Sequence, residues 1–149
     1  MKILIKAKVQ GHFLSVFNDF DKELFEYLKP RIGKMEIVEF GGSFVGNKVH
    51  MKFLSPIKAD WISNITKREI GEQQAYFIDE GVILPPGISY WHHKHIVRYI
   101  SEYESEIIDD ITYQGNNFIL SLLLYPGLLG AFLPRIIQYK RFFRNRLRK

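Results

Sequence analysis

The 149-residue sequence contains no cysteine, which excludes disulfide bonds, thiolate metal sites and cysteine nucleophiles. It also lacks the N-terminal apolar run, of about seven residues or more, that a secretory signal needs. The first ten residues, MKILIKAKVQ, instead alternate apolar and basic side chains, which predicts a strand. We therefore expect a cytoplasmic protein.

Acidic residues are absent from the segment 135–149, which carries seven Lys and Arg residues. The rest of the chain has 14 basic and 16 acidic residues, so the net charge of +5 is concentrated in this segment. Such a pattern is typical of a solvated helix end. The alternative is contact with an anionic membrane through this basic helix, weak if only the charges act and strong if Phe142 and Phe143, which lie among the cations, insert. No RNA-binding or helix-turn-helix signature occurs, so we expect no nucleic-acid partner.

The length favours a single domain that spans residues 1–149. Hydrophobic residues make up 46% and aromatic residues 15% of the chain, which indicates an interior lined by large side chains. Helical spacing over residues 12–29 predicts two short helices, with Asp21 capping the second. Segments bounded by glycine and proline then predict six further strands, at 34–40, 47–54, 58–69, 73–80, 89–100 and 106–113.

From residue 116 onwards, apolar residues recur every three or four positions and predict one long helix. Its stripe contains Phe118, Leu122, Tyr125, Leu129, Phe132, Ile136, Tyr139, Phe143 and Leu147. Pro126 and Pro134 predict a kink or break between Tyr125 and Pro134. The apolar run 118–133 is short for a membrane span and contains an internal Pro-Gly pair. We interpret the stripe as a core helix that lies across a curved sheet.

This order of elements is that of the helix-grip fold, and short motifs strengthen the resemblance. Motifs similar to those of a bacterial branch of the SRPBCC superfamily are Phe77-x-Asp79, Trp91-x-His93-x-His95, Asp109-x-Ile111-x-Tyr113 and Ile136-x-x-Tyr139-x-Arg141. The superfamily includes START lipid-transfer domains, birch-pollen-allergen-like proteins and polyketide cyclases. The resemblance implies an α+β fold in which a seven-stranded curved antiparallel sheet wraps around a long C-terminal helix. It also implies a hydrophobic cavity between the sheet and the helix.

One segment departs from this resemblance. Residues 114–117, Gln-Gly-Asn-Asn, stand where the similar sequences usually have a proline. The start of the last helix is therefore expected to differ in this chain.

Strand alternation assigns faces to the histidine-rich segment YWHHKHI. Trp91, His93 and His95 share a face without fixed charge, which is the expected interior face, whereas His92 lies on the other side. The short connection after this strand predicts a hairpin, which brings Asp109 within one or two residue pairs of His95. The sequence thus predicts two histidines and one or two aspartates inside an aromatic pocket.

The residues predicted to contact a ligand are His93, His95, Asp109, Trp91, Tyr113, Asp79, Phe77, Trp61 and Tyr125. Four interpretations of the His and Asp cluster stay open at this point. It can be a buried hydrogen-bond network, a polar anchor for a ligand, an acid/base pair, or a metal site of the His-x-His type. We expect neither a bound metal nor a cofactor.

The pattern favours a protein that binds or carries a mostly hydrophobic small molecule, such as a lipid or an aromatic polyketide. The alternative is an enzyme similar to polyketide cyclases or dehydratases, in which an Asp-oriented histidine transfers a proton next to a carbonyl. The sequence identifies neither the ligand nor the oligomeric state.

Overall fold

The structure is a computed structural model that describes residues 1–30 and 33–147. Its strands are β1 Lys2–Gln10, β2 Lys34–Phe40, β3 Lys48–Ser55, β4 Ala59–Ile70, β5 Gln74–Ile83, β6 Ile88–Ser101 and β7 Glu104–Gly115. Its helices are α1 Phe13–Asn18, α2 Lys22–Tyr27, α3 Phe118–Phe132 and α4 Arg135–Arg146. The strands form one antiparallel sheet in the order β1-β7-β6-β5-β4-β3-β2. The predicted helix-grip fold is confirmed.

The alternation of β1 shows why these segments form a sheet with one covered face. Ile3, Ile5, Ala7 and Val9 are buried, while the residues between them are exposed. The same alternation buries Trp91, His93, His95 and Val97 on β6. A curved sheet with one apolar face needs a cover, which the helices provide.

The two short helices close one end of the core. Phe13, Phe17 and Leu24 point into it and are buried. Asp21 caps α2 as predicted, because its Oδ1 accepts a hydrogen bond from the Leu24 backbone N–H at 2.9 Å.

The C-terminal helix is interrupted where proline predicted a break. Helix α3 ends at Phe132, and α4 begins at Arg135 after Leu133 and Pro134. Helix α4 packs along β1 and buries Tyr139 and Phe143. Both parts of the helix cover the sheet, because Leu128 and Phe132 near the end of α3 also pack against core residues of the strands.

The expectation that the whole stripe is core is wrong for its last member, Leu147, which is 64% exposed, and for the start of α3. Phe118 is 73% exposed and Leu122 is 46% exposed. The reason is the rotation of the helix, which is fixed by Ser121. The Tyr113 hydroxyl donates to the Ser121 carbonyl at 2.8 Å, and the Gly115 N–H donates to the Ser121 hydroxyl at 2.8 Å. These bonds hold the side of α3 that carries Ser121 against the sheet. Phe118 and Leu122 lie on the other side of the helix and are therefore exposed.

The basic segment is also not simply solvated. Arg146 pairs with Asp19 at 3.5 Å, with Asp21 at 2.8 Å and with Glu23 at 3.7 Å, which ties α4 to the two short helices. Phe142 and Phe143 are 7% and 2% exposed, so the idea that these rings insert into a membrane is wrong. The last two cations of the segment lie outside the described residues.

Gly115 permits the close approach of α3 to the end of β7. A Cβ at this position would lie 2.7 Å from the Ser121 backbone nitrogen, which is a contact with main chain and not with a movable side-chain tip. The helix then begins with Asn117, whose side chain accepts from the Leu120 N–H at 2.8 Å. These contacts account for the unusual sequence at 114–117.

Replacing Gly115 with Ala should lower the free energy of unfolding by about 1–3 kcal/mol, because the added methyl group forces the helix start away from β7. Gly130→Ala is the matched control, since a Cβ there meets nothing within 4 Å. That change should be neutral or should stabilise the exposed helix by up to about 1 kcal/mol. Urea denaturation measures both, and equal effects would contradict this account of the α3 start.

Candidate ligand-binding site

A partly open cavity of about 170 Å³ lies between the sheet and the C-terminal helices. Most of its wall is aromatic or aliphatic, with Trp61, Trp91 and Phe132 among the larger side chains. Its polar wall consists of Asp79, His93, His95 and Arg135. A smaller chamber of about 30 Å³ continues from it towards α2 and shares Asp79, His95 and Arg135 in its wall.

Strand register brings the polar residues together. Phe77 on β5, His95 on β6 and Asp109 on β7 lie directly opposite one another, and so do Asp79 and His93. The predicted proximity of Asp109 to His95 is therefore a direct pairing.

Asp109 is the centre of a buried polar cluster and has 0% exposure. His93 Nε2 lies 3.0 Å from its Oδ1, and the Tyr139 hydroxyl of α4 donates to Oδ2 at 3.1 Å. The Arg135 guanidinium is 3.9 Å from Oδ2. Burial alone would raise the pKa of Asp109, but the hydrogen bond with His93, the close contact with His95 and the nearby Arg135 charge hold that pKa well below its usual range. The carboxylate is thus ionised and accepts the surrounding hydrogen bonds.

His93 is a neutral donor to this carboxylate. Burial, together with the neighbouring His95, lowers the pKa of His93 from 6.5 to about 3, and the opposing effect of Asp109 is too small to restore it. Its Nε2 therefore carries the proton and donates to Asp109. Burial and the Asp109 charge also raise the pKa of Tyr139 well above 10, so this phenol stays a donor.

His95 is held differently, between aromatic rings. Its imidazole stacks on Phe77 with ring centroids 4.4 Å apart and lies 3.7 Å from the His93 ring. Its Nδ1 is 3.2 Å from Asp109 Oδ1, but this nitrogen is not aligned for a hydrogen bond. The contact is consequently electrostatic and leaves hydrogen-bonding capacity of the ring unused.

Arg135 is the site residue that the sequence interpretation missed. The sequence places it in the basic segment, yet its side chain is 11% exposed and its guanidinium lies over the Phe132 ring at 4.2 Å. Its Nε is buried without a hydrogen-bond partner among the described residues. The spacing does indicate an inward position for Arg135, because it lies three residues after Phe132 and four before Tyr139, two members of the inward stripe.

Asp79 is the second carboxyl group of the site and differs from Asp109. Burial raises its pKa, and the opposing effects of His95 and the Ser63 hydroxyl do not cancel this. Its Oδ1 has no hydrogen-bond partner within the described part of the chain. Burial therefore makes this carboxyl group easier to protonate than an exposed aspartate, and the protonated form can both donate and accept.

Several buried polar atoms of the cavity wall share this lack of a partner among residues 1–30 and 33–147. They are Trp61 Nε1, Asp79 Oδ1, His95 Nδ1 and Arg135 Nε. Buried polar groups in folded proteins are normally hydrogen-bonded, and leaving one unpaired costs about 1–3 kcal/mol. Their concentration around one cavity is the main chemical feature of the site.

The predicted ligand-contacting residues fall into three groups. His93, His95, Asp79, Trp91 and Trp61 line the main cavity, and Phe77 lines its smaller continuation. Asp109 lies behind the histidines and orients them. Tyr113 and Tyr125 lie outside the lining of both chambers, and the Tyr113 hydroxyl is engaged by Ser121.

No protein-family model matches this sequence, and a comparison with curated proteins finds no match. Solved structures do resemble it. The Zhui aromatase/cyclase of Streptomyces sp. R1128 has a TM-score of 0.72 at 9% identity, over 99% of this chain and 95% of that chain. Protein Ms6760 from Mycobacterium smegmatis has a TM-score of 0.64 at 15% identity, over 97% and 91%.

Norcoclaurine synthase from Thalictrum flavum, in complex with dopamine and hydroxybenzaldehyde, has a TM-score of 0.61 at 19% identity. The match covers 93% of this chain and 84% of that chain. At these identities the similarities show the fold alone, which is the helix-grip fold.

The His93, His95 and Asp109 cluster leads to a prediction about metal. Their potential ligand atoms lie within 4.8 Å of one another. A divalent cation would have to displace the donors already on Asp109 and would face the fixed charge of Arg135. Elemental analysis of untagged protein should therefore find far less than one zinc or iron per chain. Close to one zinc per chain, abolished by His93→Ala, would contradict this.

The low pKa of His93 predicts loss of stability in acid. An unfolded histidine binds a proton below about pH 6.5, whereas folded His93 does so only near pH 3, so the unfolded state binds more protons between these values. The effect is at most about 5 kcal/mol. Asp109 also lowers stability in acid, because its pKa is lowered on folding and the unfolded state is protonated first. Asp79 has the opposite effect, because its pKa is raised on folding and the folded state is protonated first.

We expect the melting temperature of the native protein to fall as the pH is lowered from about 6.5 towards 3. His93→Gln keeps an amide donor but cannot titrate, so its melting temperature should fall less steeply. His92→Gln, on the opposite face of the sheet, is the control and should follow the native slope. Parallel curves for the native protein and His93→Gln would show that His93 is not buried in neutral form.

Proposed function

We propose that the protein binds a small, mostly apolar molecule in the cavity, with the polar end of that molecule at Asp79, His95 and Arg135. The observation that carries this proposal is the group of unpartnered polar atoms in an otherwise apolar wall. Binding sites for small molecules typically combine a hydrophobic lining with a few convergent polar groups. A ligand oxygen placed there would supply the missing hydrogen bonds.

The size of the cavity favours a compact ligand. A dry cavity of about 150 Å³ is known to hold benzene, and the main chamber here is about 170 Å³. The enclosed part of the ligand is thus about one aromatic ring or a short alkyl chain, with further atoms extending through the mouth. Trp61, Trp91 and Phe132 provide ring faces and edges that suit an aromatic portion.

The polar groups favour oxygen at the other end of the ligand. Arg135 Nε is a donor in every state, and Asp79 accepts as a carboxylate and both donates and accepts when protonated. A carbonyl, hydroxyl or carboxyl oxygen matches these groups. The Asp109 network behind them fixes His93 and Tyr139 and keeps the polar wall rigid before a ligand arrives.

An enzyme similar to aromatase/cyclases is the second candidate, because solved structures with this fold carry such activities in their names. In that case a side chain of the polar wall would transfer a proton to or from the ligand. His93 is oriented by an aspartate as such a mechanism requires, but a pKa of about 3 makes it a weak base near neutral pH. Binding without chemistry therefore stands first.

The fluorescent probe anilinonaphthalene sulfonate, which joins aromatic rings to an anionic oxygen group, tests the proposal. The native protein should bind about one equivalent, and Arg135→Met or His95→Phe should weaken binding about ten- to a hundredfold by deleting one polar contact. Ala131→Trp should nearly abolish binding, because Ala131 lines the cavity and the larger side chain would fill it.

Two controls separate the cavity from other surfaces. His92→Ala changes a residue on the other face of the sheet, and Leu123→Ser changes a residue on the exposed side of α3. Both should leave the affinity unchanged. Equal binding by native protein and Ala131→Trp, or loss of binding in Leu123→Ser alone, would place the probe outside the cavity and overturn the proposal.

A further inference from the structure

The outward side of α3 is a continuous apolar surface. Phe118 and Leu123 are 73% and 69% exposed, and Ile119 and Leu122 lie beside them. Leu133 and Ile137 continue the surface past the break between α3 and α4. Large exposed apolar surfaces of this kind mark contact with a membrane or a protein.

The same side of the helix becomes cationic towards its end. Within α4, the spacing of three and four residues places Lys140, Arg141 and Arg144 on the same side as Ile137, which continues the apolar surface of α3. All three cations are exposed, and within residues 1–30 and 33–147 none of them forms a salt bridge. We define the docking face as the exposed side chains of Phe118, Ile119, Leu122, Leu123, Leu133, Ile137, Lys140, Arg141 and Arg144.

We propose that the docking face binds to the surface of a membrane that contains anionic lipids. An apolar stretch followed by basic residues on one helix side matches the boundary of a bilayer, where acyl chains lie below a layer of phosphates. A second copy of the chain fits less well. Pairing of two such faces would bring like charges together or would cover unpaired cations with apolar side chains.

The helix lies on the membrane and does not cross it. By length and composition the stretch Phe118–Arg146, of 29 residues, is long and apolar enough to cross a membrane. However, Phe132, Tyr139 and Phe143 are buried against the rest of the fold, and Tyr139 donates to Asp109. A crossing would remove these side chains from the core, whereas docking uses only side chains that are already exposed.

The docking face also borders the cavity. A groove of about 470 Å³ beside Pro126, Gly130 and Pro134 shares Pro30 and Ala131 with the cavity wall. If the proposed function is correct, a ligand dissolved in the bilayer would reach the cavity through this side of α3. Docking itself does not depend on a ligand, so the two proposals can fail separately.

Sedimentation with vesicles tests the proposal, using phosphatidylcholine with and without phosphatidylglycerol at physiological salt. The full chain should bind the phosphatidylglycerol vesicles. The double variant Ile119→Ser, Leu123→Ser should bind about tenfold more weakly, because it removes apolar insertion. The triple variant Lys140→Gln, Arg141→Gln, Arg144→Gln should lose the preference for phosphatidylglycerol, again by about tenfold or more.

The matched control is Tyr103→Ser, which removes a ring that is 84% exposed in the turn between β6 and β7, at the other end of β7 from α3. It should sediment like the native protein. Melting temperatures confirm that each variant is folded.

Unchanged sedimentation of the double variant would overturn the proposal. A dimer that the same variant dissociates, without vesicle binding by the native protein, would assign the face to a second copy instead.

Discussion

The buried charge of Asp109 is the constraint on which the arrangement of this fold depends. An isolated carboxylate without exposure is very unfavourable, so the fold has to supply donors from several elements. The sheet contributes His93, and α4 contributes Tyr139 and the charge of Arg135. Satisfying one anion therefore sets the orientation of a histidine and fixes where the C-terminal helix docks.

The consequences of this network extend to the cavity and to the outer surface. Because Tyr139 and Arg135 face Asp109, the opposite side of α4 is left to solvent, and Ile137 and the cations of the docking face lie there. The break at Leu133 and Pro134 allows α3 to follow the rim of the sheet while α4 packs along β1. The two helices thus line the cavity on their inner side and present the docking face on their outer side.

The sheet and much of the polar wall could be predicted from the sequence, because strand side chains alternate with a period of two. That rule placed His93 and His95 inside and Asp109 beside them. Arg135 and the exposure of Phe118 could not be predicted in the same way. The face that a helix presents depends on its rotation, here fixed by the contacts of Ser121 with Tyr113 and Gly115. The sequence around Arg135 also does not indicate that this cation lies beside the buried carboxylate of Asp109 in the folded protein.

The measurement that tests this account most directly is a long-range proton–nitrogen spectrum of the histidine side chains, recorded during titration with anilinonaphthalene sulfonate. At about pH 5 the account predicts that His93 is neutral with its proton on Nε2. It also predicts that the His95 signals shift and saturate at about one equivalent of probe, whereas those of His92 do not move. A charged His93 at that pH, or probe-induced shifts at His92 without any at His95, would contradict the account.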